Sequence, residues 1–144
     1  MALGWLLVTN HTVSGSVTWI KTPITSKYYP GGFTIESAVI GSSYANTSPV
    51  LAMTNCLLLA SGGNLGSPLT NSGVLTATNT VLVNGIVALS LAAPASGTVS
   101  GVFANAALKS PKALKGVVLP QQNTARGYFV GTNQTGAFRL QHNP

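Results

Sequence analysis

Residues 116–140, GVVLPQQNTARGYFVGTNQTGAFRL, decide the fold class of this chain. Val117, Val118 and Leu119 form a β-favouring run that Pro120 ends, because proline has no N–H to give to a strand ladder. Tyr128 and Val130, then Phe138 and Leu140, recur with the period of two that places side chains on one sheet face. Gly131 and Gly136 bracket the polar tetrapeptide 132–135, which suits a hairpin loop of about four residues. The stretch therefore predicts three strands and two turns, with Tyr128, Phe138 and Leu140 filling the core.

The rest of the chain agrees with a β reading. At 144 residues it is sized for one domain, so a single β domain over 1–144 is expected. Charged residues are 6% of the total, against about 25% in ordinary soluble domains. Apolar residues are 45%, which excludes the low-hydrophobicity, high-charge signature of disorder. The net charge of +6 comes from seven Lys and Arg set against one acid, Glu36. Residues 1–8 are apolar but lack a basic flank and a small-residue cleavage pattern, so no signal peptide is read there. No apolar run approaches the roughly eighteen residues of a spanning helix, so no membrane span is expected.

Taken in order, residues 3–8 and 13–21 read as two strands around the turn 9–12, with Val13, Gly15, Val17 and Trp19 on one face. Residues 22–32, TPITSKYYPGG, carry two prolines and two glycines and read as a long structured loop. Phe33, Ile35 and Val39 alternate in a third strand, and 41–49 is polar turn material. The apolar run 50–60 reads as a central strand buried on both sides. Residues 61–73 read as a loop rather than a domain boundary. Strands 74–83 and 86–91 meet at Asn84-Gly85, whose tolerance of positive φ suits a type I′ turn. That register pairs Leu82 with Val87, Thr80 with Leu89 and Thr78 with Leu91. Residues 104–108 have room for one helical turn, and Pro111 prevents a longer helix. The expected fold is all-β, an antiparallel meander barrel or a sandwich of roughly ten short strands.

The series SGSVTWIK (14–21), YYPGGF (28–33), IGSSY (40–44), ASGGNL (60–65), KGVVLPQQN (115–123) and RGYFVGTNQTG (126–136) resembles a recurrent β-rich domain near the C-terminus of large secreted or surface proteins of Verrucomicrobia, Planctomycetes and related bacteria. Pro120 stands where that pattern carries Gln. The resemblance implies a secreted or cell-surface location, with any signal outside this chain, and a scaffold role without catalysis.

The residues present limit the chemistry. There is no Asp, one Glu, one Cys and two His, so a paired-carboxylate hydrolase is excluded within the chain. Cys56 sits in the apolar run MTNCLLLA and is expected to be a buried thiol, and a single cysteine forms no internal disulfide. His11 in a turn and His142 near the end read as solvated side chains, with too few partners for a zinc site. No cofactor and no metal are expected. Residues 126–130, RGYFV, resemble the basic-Gly-aromatic strand of an RNA-recognition motif, but the βαββαβ order that motif needs is missing and nucleic acid is not expected. Lys109, Lys112 and Lys115 around Pro111 read as a solvated loop. Asn10, Asn46 and Asn133 lie in sequons within predicted turns.

Two surfaces stand out as sites of contact. Trp19, Tyr28 and Tyr29 are an aromatic concentration that would suit polysaccharide binding, against the simpler expectation that Trp19 is core and the tyrosines pin the 22–32 loop. Leu3, Trp5 and Leu7 in the apolar first strand would suit strand addition, and so self-association or contact with other surface proteins. The sequence thus points to a structural or adhesive module, a subunit of a filament or layer, with carbohydrate binding as the alternative.

Overall fold

A computed structural model describes residues 1–91, 96–104 and 108–144. Where composition points to one compact unit, the chain gathers into two, Met1–Ser43 and Tyr44–Pro144. Among the described residues there are eleven strands, and the only helical element is the single 3-10 turn Pro120–Gln122. The helical turn expected over 104–108 falls largely outside the described residues.

The first unit is an antiparallel sheet in the order β1 (Ala2–Thr9), β2 (Thr12–Lys21) and β3 (Phe33–Ser42). Asn10 and His11 both have positive φ in the two-residue turn between β1 and β2, the conformation whose twist matches a right-twisted ribbon. Register pairs Trp5 with Ser16 and Trp19 with both Ala2 and Ile35.

The second unit is a closed antiparallel barrel of β4 (Asn55–Gly62), β5 (Leu69–Leu75), β6 (Thr80–Val83), β7 (Ile86–Ser90), β8 (Thr98–Phe103), β9 (Lys112–Leu119), β10 (Thr124–Val130) and β11 (Thr135–His142). Each strand pairs with the next in sequence, and β11 closes on β4 through partners running from Gly136 with Gly62 to His142 with Cys56. This is a meander barrel, and closure leaves it no free edge. Cys56, Leu58 and Ala60 of β4, Phe138 and Leu140 of β11, Phe129 of β10, Leu114 and Val118 of β9, and Val99 and Phe103 of β8 fill the interior.

Several local expectations are corrected. The run 50–60 is not one strand buried on both sides. Val50, Leu51 and Met53 belong to an irregular segment that enters the core, and β4 itself alternates, because a barrel has one dry side. Residues 69–73 are not loop but pair with β4, and 74–83 divides into β5 and β6 around a turn in which Asn79 has φ 59°. Asn84 and Gly85 make the expected turn, with Leu82 opposite Val87, but a bulge then sets Val81 opposite Leu89 and Thr80 opposite Ser90. The extra residue on the β7 side shifts the pairing by one.

Tyr128 is also corrected: it is 50% exposed, and Phe129 is buried in its place. Period two fits both phases of β10, so the partner strand decides. Gly127 lies opposite Phe138, and Phe129 opposite Gly136. Each inward ring on one strand therefore faces an inward glycine on the other.

Candidate interaction surface

The β1–β3 sheet presents both of its faces to solvent. One face carries Leu3, Trp5 and Leu7 of β1, backed across the strand pair by Thr18, Ser16 and Ser14. Leu3, Trp5 and Leu7, the three residues named for an assembly strand, are 57, 62 and 52% exposed and share one face of β1. Glu36 lies on this face, where its Oε1 accepts a 2.6 Å hydrogen bond from Ser16 Oγ. The opposite face carries Leu6 and Val8 of β1, Val17 and Trp19 of β2, and Phe33, Ile35 and Val39 of β3.

All eight residues of β1 are exposed, and the strand pairs on one side alone. Its outward N–H and C=O groups are therefore left for water or for another strand. Charged residues and prolines, which protect natural sheet edges, are missing from Ala2–Thr9.

Trp19 is not core. It is 51% exposed, because its own three-stranded unit has no second layer to bury it. With Met1, Ile24 and Phe33 it borders a shallow depression of about 410 Å³, which neither Tyr28 nor Tyr29 lines. The tyrosines belong instead to the 22–32 loop, which is organised by one ammonium group. Lys21 Nζ donates to Ser26 Oγ at 3.1 Å, Tyr28 O at 2.8 Å and Tyr29 O at 2.6 Å. Tyr29, with φ 50°, sets its ring edge-on to Phe33 at 5.3 Å between centroids, and Lys27 Nζ stands 5.4 Å from the centre of the Tyr28 ring. Trp19 and the two tyrosines do not form a shared ring platform in these contacts. The latch role of Lys21 was the feature sequence reasoning missed. Its signal was an isolated cation ending an apolar strand just before a loop of eleven residues with two prolines.

The remaining reactive groups are dispersed. His11 lies in the β1–β2 turn and His142 at the end of β11, both at the surface. Cys56 is fully buried in the barrel, and desolvation pushes its thiol pKa up, away from the reactive thiolate. Among the described residues no group of three or more His, Cys, Asp or Glu is placed to hold a metal ion. No helix among them is long and apolar enough to cross a membrane. No protein-family model, curated protein or solved structure matches the chain.

Proposed function

We propose that this chain is a non-catalytic structural module of a bacterial extracellular or cell-surface protein, which assembles with further copies of itself through the β1–β3 sheet. The observation that carries this reading is the open, uncharged edge of β1, with Leu3, Trp5 and Leu7 on one side and Leu6 and Val8 on the other, all exposed. A three-stranded sheet gains its stability from a buried apolar face, and burial of apolar area contributes roughly 25 cal/mol per Å². A second copy pairing along β1 supplies the missing hydrogen bonds, and a further copy packed face to face on the extended sheet supplies the missing apolar layer. The scarcity of acids and the presence of only two histidines support a role without catalysis, and the family resemblance supports the location.

The test is the solution mass of the full chain by light scattering at neutral pH, across a range of concentrations. Species larger than one chain are expected, and Trp5→Lys with Leu7→Lys should reduce them to monomer by placing charge on the pairing edge. A wild-type chain that stays monomeric at high concentration would overturn the reading.

A further inference from the structure

The outer face of the barrel carries a group of cations in a unit that contains no Asp or Glu. Strand pairing sets Arg126 of β10 directly opposite Arg139 of β11. The neighbouring outer row runs through Lys115 of β9, Tyr128 of β10, Ala137 of β11 and Ser61 of β4. Arg126, Arg139, Lys115 and Tyr128 are all exposed. Like charges directly opposite each other on a sheet face destabilise the pair of strands that holds them. Packing does not require arginine at either position, since both side chains stand in solvent.

The unit Tyr44–Pro144 contains neither Asp nor Glu, so neither guanidinium has a carboxylate side chain in its own unit to pair with. The surface between them is concave. A depression of about 410 Å³ is lined by both arginines together with Ser61, Gly127 and Ala137, and the short side chains of Ser61 and Ala137 leave its floor open. Arg126 and Tyr128 stand two positions apart on the same side of β10, about 7 Å along the strand, the reach of one sugar ring and its acidic substituent.

We propose that this face binds an anionic saccharide, with the Arg126–Arg139 pair on a carboxylate or sulfate group and the Tyr128 ring against the apolar face of the sugar. Guanidinium groups present planar paired donors that match such oxyanions, and an exposed tyrosine offers a flat apolar body with a polar tip. One aromatic ring beside one arginine pair accommodates a single acidic unit. A bound nucleic-acid strand would call for rings and cations repeated along a track.

The test measures affinity of the full chain for dextran sulfate, polygalacturonate, neutral dextran and poly(U) under one salt condition. Binding to one or both of the two acidic polysaccharides, and none to neutral dextran, is expected. The acidic polymer that binds identifies sulfate or carboxylate as the recognised group. Arg126→Lys and Arg139→Gln should each weaken that binding about tenfold, the loss of a charge-assisted hydrogen bond, while Lys109→Gln with Lys112→Gln changes it less than about twofold. The melting temperature of Arg139→Gln should equal or exceed that of the parent, since like-charge repulsion is relieved, and that of Arg126→Lys, which keeps the charge, should equal it. Equal losses in the lysine variant, tighter binding of poly(U), or failure to bind either acidic polysaccharide would overturn the proposal.

Discussion

Phe129 of β10 lies against the backbone of Gly136 of β11, so close that a β-carbon at residue 136 would come within 2.1 Å of the ring's Cζ. Phe138 stands in the reciprocal relation to Gly127, where an added β-carbon would meet Cε1 at 2.5 Å. The repeated Gly-x-Phe of 127–129 and 136–138 thus packs two rings where four side chains would not fit. Gly136→Ala should destabilise the barrel by about 1–3 kcal/mol through overpacking, and Phe129→Ala by about 3–5 kcal/mol through the cavity it leaves. Combined, they should be less than additive, since the alanine at 136 enters space the ring has vacated. Urea unfolding of the single and double variants measures this. Strict additivity would show that the ring does not press on residue 136.

Much of this arrangement was legible in the residues, but not its phase. The Gly and Pro punctuation around 117–119, 126–130 and 138–140 located the closing strands, and Asn84-Gly85 located a hairpin. Tyr128 and Phe129 are both β-formers, and choosing between them needs the pairing of Phe138 with Gly127, a relation across strands. The Ser43/Tyr44 boundary lies in polar turn residues that resemble any other loop of this chain. In the first strand, the apolar run of residues 3–8 was legible as a strand, and the exposure of Leu3, Trp5 and Leu7 was not. Trp19 was misplaced because apolar alternation reports a shared face and says nothing of whether another layer covers it.

Two asparagines in left-handed conformation hold the segment that enters the core ahead of β4. Asn79, φ 59°, accepts from Val50 N at 2.7 Å through Oδ1 and donates to Thr47 O at 3.2 Å through Nδ2. Asn123, φ 48°, accepts from Ala52 N at 2.8 Å and donates to Ala52 O at 3.1 Å. Asn79 is buried, so Asn79→Ala strands the Val50 N–H without a partner and should cost about 1–3 kcal/mol. Asn123→Ala, at a more open site, should cost less. Thermal melts rank the two, and a reversed order would mean that Asn123 is the principal clasp.

The buried Cys56 thiol makes a prediction with a definite sign. Desolvation raises its pKa in the folded chain above the ordinary 9.0. Folded protein then holds this proton at pH values where the unfolded chain has released it. The resulting stability is fully present below the ordinary thiol pKa and is lost as pH climbs through the raised folded value. Denaturation midpoints should therefore fall above about pH 9, with a shallower fall in Cys56→Ala. The native thiol should also resist Ellman's reagent until the barrel unfolds. Rapid labelling of folded protein would contradict the burial.

Lys21 offers a separate handle on the first unit, because one ammonium group organises the 22–32 loop through Ser26, Tyr28 and Tyr29. Hydrogen bonds to a charged group are worth about 1.5–3 kcal/mol, and their loss lowers the free energy of local opening by a similar amount. Lys21→Met keeps the apolar stem of the side chain and removes every donor. Trypsin cleavage after the exposed Lys27 should then run about tenfold faster, the low end of that range, while the melting transition of the barrel stays unchanged. Because Lys21→Met also removes a trypsin site, the comparison follows the Lys27 cleavage product by mass. An unaltered cleavage rate would place the loop's order in the Tyr29–Phe33 ring contact instead, and Phe33→Ala would then be the variant that releases it.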